Sequence, residues 1–117
     1  MSTTMTPTEA AERYFAAWEG KTVENLRELL SPQVTFRGPM GATNGVDDTI
    51  AGLSGLAAAT TELTVRKRLG DDTGVMTWFE LSVEGSEPMS TVNWTQVEDG
   101  QVTAINVTFD PRPLAKS

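Results

Sequence analysis

The chain has 117 residues, of which 38% are hydrophobic and 21% charged, a composition typical of one globular domain. Its 9 basic and 16 acidic residues give a net charge of −7, which disfavours nucleic acid as a partner because phosphate binding needs a basic face. The absence of histidine and cysteine excludes disulfides, thiol nucleophiles, imidazole catalysis and the common zinc sites. Any chemistry must therefore use carboxyl, phenol, amide, hydroxyl, amine or guanidinium groups.

Two further classes are excluded by simple patterns. No apolar run approaches the ~20 residues that cross a bilayer, and the N-terminal segment lacks the charged and apolar regions of a signal peptide. The glycines fit no G-x-G-x-x-G motif between a strand and a helix, so no nucleotide cradle for hydride transfer is expected. We therefore expect a cytoplasmic protein that contacts neither membrane nor nucleic acid and uses no metal or organic cofactor.

The N-terminal segment has the apolar spacing of a helix. Thr6, Pro7 and Glu9 form the pattern of a capping box with proline at the first helical position. Apolar residues then recur every three or four positions as far as Gly20, which is a typical helix stop. The sequence therefore predicts a first helix between Thr6 and Gly20.

The next elements follow from helical spacing, alternation and turn residues. A second helix is predicted from a cap at Thr22 to Ser31-Pro32, because the residue before a proline resists the helical conformation. A short strand is expected at 34–36 and a turn-rich loop at 38–45. A third helix is predicted from about Val46 to Ala59.

Beyond residue 60 the apolar period changes from that of a helix to that of a strand. Four strands joined by hairpins are predicted at 62–69, 75–83, 89–97 and 101–109. Helices followed by a meander of strands indicate the α+β class, with the helices on one face of an antiparallel sheet. We expect a single domain over 1–117, with frayed ends at 1–6 and 115–117.

Several short segments resemble nuclear transport factor 2-like proteins, and within that superfamily the SnoaL-like polyketide cyclases and steroid delta-isomerases. The segments are Tyr14 to Trp18, Leu26 to Pro32, Phe36 to Gly41, Glu98 to Val102 and Phe109 to Leu114. The resemblance implies a cone-shaped, curved antiparallel sheet of cystatin-like type, packed on three N-terminal helices. It also implies an apolar pocket open at one end and a homodimer formed through the outer face of the sheet.

The resemblance to steroid delta-isomerases also suggests two polar site residues. Tyr14 matches a tyrosine that donates a hydrogen bond to the oxyanion of the substrate, as a phenol in a dry pocket can. Asn93 takes the place of a protonated aspartic acid that completes the oxyanion hole, and its amide keeps a donor there. The alternatives are a core tyrosine with a backbone partner, and an asparagine that faces solvent or a dimer partner.

The direction of Asn93 depends on the turn that follows its strand. A two-residue loop at Asp99-Gly100 would place Trp94 on the same side of the sheet as Ile105. A three-residue loop with a bulge at Gly100 would instead pair Asn93 with Ile105. The geometry of the resembled family favours the bulged turn, which directs Asn93 inward.

The chain lacks a carboxylate at the position where the resembled isomerases have their general base. The resembled isomerases have their general base immediately before the proline of the loop, where this chain has Gly38, and glycine cannot move a proton. Asp110 is a candidate substitute, since SnoaL-like cyclases use an inward aspartate as the acid–base group. Asp110 also fits a chain-terminating turn in which it pairs with Arg112 or Arg37, and alternation after Phe109 points it away from the pocket.

The apolar residues divide into a pocket set and an outer set. We expect the pocket lining to be Trp18, Phe36, Met40, Phe79, Leu81, Ile105, Val107 and Phe109. The outer face of the sheet is expected to carry Met76, Trp78, Glu80 and Trp94, with exposed aromatic side chains that suit a homodimer contact. Lys67 interrupts the alternation of its strand and reaches either the pocket rim or solvent.

These observations leave two functions open. The first is cofactor-free acid–base chemistry of the isomerase or cyclase type on an apolar polyketide- or steroid-like substrate. The second is non-catalytic binding or transport of an apolar small molecule. A titratable side chain across the pocket from Tyr14 or Asn93 would favour the enzyme, whereas only apolar groups and amides would favour binding. A pocket packed solid would instead indicate a scaffold.

Overall fold

The computed structural model describes residues 5–39 and 41–112. The expected fraying at 1–4 and 115–117 lies outside the described residues. Over these residues, two longer α-helices, one short 3-10 helix and six strands follow one another. They are α1 (Pro7–Glu19), the 3-10 helix (Val23–Leu26), β1 (Leu30–Gly38), β2 (Gly41–Asn44), α2 (Val46–Ala59), β3 (Thr60–Gly70), β4 (Gly74–Val83), β5 (Met89–Glu98) and β6 (Gln101–Phe109).

All six strands form one sheet in the order β2-β1-β6-β5-β4-β3. Strand β1 runs parallel to β6, whereas the other neighbouring pairs are antiparallel. The sheet is therefore mixed, and the expectation of a purely antiparallel sheet was wrong in this one pairing. Bulges in the β3–β4 and β5–β6 ladders add to the curvature of the sheet around the helices. The predicted α+β class, with helices packed on a curved sheet, is confirmed.

The start of α1 follows the predicted capping box. The Thr6 hydroxyl accepts from the Glu9 backbone N–H at 3.2 Å, and the Glu9 carboxylate accepts from the Thr6 backbone N–H at 2.9 Å. Gly20 caps the other end, but the left-handed residue is Lys21, with φ of 57°. The Lys21 ammonium donates to the carbonyls of Ala57 and Thr60, so it ties the end of α1 to the end of α2.

The predicted second helix was wrong in type and length. Only the 3-10 helix Val23–Leu26 forms, and the chain is already in β1 from Leu30. Pro32 lies inside β1, at an irregularity of the β1–β6 pairing between Leu30 and Thr35, where no ladder donor is required of it. The predicted loop contains β2, whereas the third predicted helix is observed as α2 within its predicted bounds.

The core lies between α1 and the concave face of the sheet. The rings of Tyr14, Phe15, Trp18 and Phe79 pack with centroid separations between 5.1 and 6.0 Å. Aromatic contacts of this kind stabilise beyond their buried area by about 0.5–1.5 kcal/mol each. This cluster fills the middle of the hollow under the sheet, so any open space must lie to one side of it.

Candidate functional site

An apolar cavity of about 310 Å³ lies beside the aromatic cluster, between α2, the β1–β2 hairpin and the concave face of the sheet. Its size is at the lower end of the range for small-molecule sites. The lining residues are Trp18, Phe36, Gly38, Gly41, Ala42, Thr43, Thr49, Gly52, Leu53, Leu56, Leu81, Val83, Met89, Val107 and Phe109. The hollow is therefore not packed solid, as a pure scaffold would require.

Five of the predicted lining residues are in this cavity: Trp18, Phe36, Leu81, Val107 and Phe109. Phe79 and Ile105 are fully buried in the core and do not line it. Both face the helices as alternation predicts, but the Phe79 ring is covered by Phe15 and Trp18 of α1, and Ile105 is fully buried among other core residues. Met40 lies outside the described residues.

Most of the lining that sequence reasoning missed comes from α2 and the β1–β2 hairpin. Thr43 was assigned to a loop, although it pairs with Phe36 across the hairpin and so lies next to a predicted lining residue. Thr49, Gly52, Leu53 and Leu56 recur at helical spacing on α2. That spacing was visible in the sequence, but these residues were not assigned to the pocket.

Few polar groups face the cavity. The Trp18 indole N–H donates to the Thr60 hydroxyl at 2.9 Å, so it is already occupied. The hydroxyl oxygens of Thr43 and Thr49 lie 2.9 Å apart and share one hydrogen bond. Among the described lining residues, no side chain is an acid or a base. The cavity is thus suited to an uncharged ligand, since an unpaired charge would be costly to bury there.

Tyr14 and Asn93 meet in the core. The Asn93 side-chain amide donates to the Tyr14 hydroxyl at 3.1 Å, and the Thr95 hydroxyl donates to the Asn93 amide oxygen at 2.6 Å. All three residues are buried. Burial raises the pKa of the Tyr14 phenol, with the Asn93 hydrogen bond a smaller and opposite effect. Neither Tyr14 nor Asn93 is among the cavity-lining residues, and their proposed role toward a ligand stays a prediction.

The inward direction of Asn93 arises in a way that neither predicted turn provides. The turn is a two-residue loop, with positive φ at Asp99 and Gly100. A bulge between Gln96 and Val97 then shifts the pairing, so that Asn93 lies opposite Val107 rather than Ile105. The expected face is correct, but the bulge sits within the ladder and not at the turn.

Gly38 and Asp110 lie in very different surroundings. Gly38 lines the cavity, and a Cβ added there would meet only ordinary contacts, the nearest 3.5 Å away on Phe36. Asp110 is exposed at the end of β6, where its carboxylate binds the Arg112 guanidinium at 2.6 Å. That ion pair holds the pKa of Asp110 below its usual value. The predicted turn is thus observed, and Asp110 is not part of the cavity.

The outer face of the sheet carries an apolar patch. Leu69, Met76 and Trp94 form one row across β3, β4 and β5, and Lys67, Trp78 and Val92 form the next. We call these six residues the outer patch. Leu69 is 64% exposed and Trp78 46%, so their apolar surface is unusual for a solvated face. Lys67 is exposed beside Trp78 and does not reach the cavity.

Comparisons with known proteins agree with this fold. A family model described as the SnoaL-like domain matches residues 11–105. Among solved structures, an NTF2-like protein of unknown function from Cytophaga hutchinsonii matches with a TM-score of 0.86 and 22% identity, covering 99% of this chain and 100% of that one. No curated protein matches the chain.

Two solved structures with named activities are also similar in fold. A steroid delta-isomerase from Pseudomonas aeruginosa has a TM-score of 0.82 at 18% identity, over 93% of this chain and 83% of that one. An LEH-like epoxide hydrolase from M. tuberculosis has a TM-score of 0.74 at 16% identity, over 91% and 84% respectively. Identities this low establish the fold alone. Within the described residues, no helix is long and apolar enough to cross a membrane.

Proposed function

This chain belongs to the family of SnoaL-like domains, and we propose that its cavity binds an uncharged, largely apolar small molecule without transforming it. The observation that carries the proposal is the lining of the cavity. Its described side chains are aromatic, aliphatic or small, with a hydroxyl pair as the polar element and no acid or base. Proton transfer needs a group of suitable pKa within reach of the substrate, and the described lining supplies none.

A thermal-shift experiment with two bicyclic probes tests this function. 1-Tetralone is neutral, whereas tetralin-2-carboxylate has a similar ring system and a negative charge at neutral pH. We expect 1-tetralone to raise the melting temperature in a concentration-dependent way, since a ligand that binds only the native state stabilises it by mass action. The carboxylate should raise it much less, because its charge would be buried without a partner. Failure of 1-tetralone, or equal stabilisation by both probes, would refute the proposal.

A second candidate is cofactor-free acid–base chemistry of the isomerase or cyclase type on a polyketide- or steroid-like substrate. The buried Tyr14–Asn93 pair favours it, because the Tyr14 hydroxyl accepts from the Asn93 amide and keeps its own proton to donate. The candidate lacks a base, since Gly38 occupies the position where the resembled isomerases have one. Turnover of a β,γ-unsaturated ketone that is lost in Tyr14→Phe would favour this candidate over simple binding.

We also propose that the outer patch joins two copies of this chain into a homodimer. Its two rows are apolar apart from Lys67 and are bordered by the polar side chains of Glu80, Asn106 and Thr108, an arrangement typical of an interface with an apolar centre and a polar rim. The same face of a second copy is complementary to such a patch, as a two-fold interface requires. The patch lies on the side of the sheet opposite the helices, so a dimer would leave the cavity accessible.

Sedimentation velocity tests the dimer with a matched pair of variants. Trp78→Glu should weaken dimerisation by at least about 30-fold, because truncation of a central interface tryptophan commonly costs 2 kcal/mol or more. Val65→Glu provides the control, since Val65 is 40% exposed but lies opposite Phe79 on the other face of the sheet. A monomeric wild-type protein, or equal weakening by both substitutions, would contradict the proposal.

A further inference from the structure

We infer that Thr43 and Thr49 form the polar anchor of the cavity and donate one hydrogen bond to an acceptor oxygen of the ligand. The inference rests on the proposed binding function and narrows it to a class of ligand. That class is a compact apolar molecule with a single uncharged acceptor, such as a ketone, an ester or an ether.

The hydrogen-bond inventory of the two hydroxyls leads to this anchor. Two hydroxyls have two protons, and one of these lies between the oxygens of Thr43 and Thr49, which are 2.9 Å apart. Neither hydroxyl makes a further hydrogen bond within the described part of the chain. One proton of the pair is therefore available to an acceptor placed in the cavity.

The position of the pair directs that proton toward the cavity. Thr49 is 1% exposed and lies in the first turn of α2, while Thr43 is half-buried on β2, and both line the cavity. The positive end of the α2 dipole is at this turn, which favours an acceptor oxygen over a cationic group. An acceptor bound here would be removed from water, so the hydrogen bond would contribute more than it does at the surface.

The rest of the lining limits the ligand to one such acceptor. The indole N–H of Trp18 already donates to Thr60, and the other described lining side chains are apolar. A second acceptor on the ligand would find no free side-chain donor among them and would lose its water without compensation. Ligand selection therefore falls to the threonine pair rather than to Tyr14 and Asn93, which bond each other and do not line the cavity.

The test measures the affinity of 1-tetralone and of tetralin, its hydrocarbon counterpart, for the wild type and for the double variant Thr43→Val, Thr49→Val. Replacing both partners of a hydrogen bond with apolar groups of the same shape is nearly neutral for stability, so the double variant should fold. We expect it to bind 1-tetralone about tenfold more weakly, the effect of one lost hydrogen bond. Its affinity for tetralin should be unchanged or higher.

Thr103→Val is the control, because Thr103 is a half-buried strand threonine that does not line the cavity. It should leave both affinities unchanged. If both probes bind the wild type and the double variant alike, the threonine pair is not the anchor, although the cavity still binds. If neither probe binds the wild type, the proposed function itself fails.

Discussion

Raising the pH above about 10 should destabilise the wild-type protein more steeply than the Tyr14→Phe variant. An unfolded tyrosine releases its proton from about pH 10, whereas burial raises the pKa of Tyr14 in the native state. The unfolded chain then holds fewer protons than the native one, so the free energy of unfolding falls as pH rises. The stability that this pKa difference provides is present in full below the pKa of the unfolded tyrosine. As the pH rises above that value, the free energy of unfolding falls by up to about 1.4 kcal/mol per pH unit.

Chemical denaturation at several pH values measures this difference. At neutral pH, Tyr14→Phe should itself cost about 1–3 kcal/mol, because the Asn93 amide loses its buried acceptor. The gap between the two proteins should therefore narrow as the pH rises. Since Tyr14 is the only tyrosine, tyrosinate absorbance reports on it alone. A native protein that ionises near pH 10 without unfolding would show that the phenol is in contact with water.

Local chemistry predicted the elements that depend on neighbouring residues. The Thr6–Glu9 capping box and the spacing of α2 need only short segments, and both are observed. The predicted second helix failed because its apolar residues also suit a turn followed by a buried strand. Pairing of β1 with β6, some 70 residues further along the chain, decides the outcome, and no local pattern reports that contact.

The site was predicted less completely than the fold. Alternation correctly selected Leu81, Val107 and Phe109 as inward, but it could not distinguish a residue facing open space from one covered by α1, such as Phe79. That distinction depends on where the helices lie over the sheet. The Thr43–Thr49 contact joins a predicted loop to a helix, so it could not be seen before the hairpin was known.

The register of Asn93 shows how a correct face can follow from an incorrect turn. Side chains alternate with period 2, so a shift of two positions leaves every residue on the same side of the sheet. The two-residue turn and the one-residue bulge between Gln96 and Val97 together make this shift relative to the pairing expected of the three-residue turn. The direction of the side chain was therefore predictable, but its partner across the strands was not.

Two glycines of α2 allow a direct test of whether the ligand binds in the cavity beneath this helix. Gly52 lines the cavity, and a Cβ there would lie 3.4 Å from a methyl carbon of Thr43. Gly55 lies on the same helix, does not line the cavity, and would have nothing within 4 Å of its Cβ. Leucine at either position should gain up to about 1 kcal/mol of helix stability, so unfolding would not explain a difference in binding.

Isothermal titration calorimetry of 1-tetralone against Gly52→Leu and Gly55→Leu is the most direct measurement. We expect Gly52→Leu to reduce affinity by more than tenfold, because its side chain occupies part of a cavity of only about 310 Å³. Gly55→Leu should bind like the wild type. If Gly52→Leu retains wild-type affinity, or if both variants weaken binding equally, the ligand does not occupy this cavity.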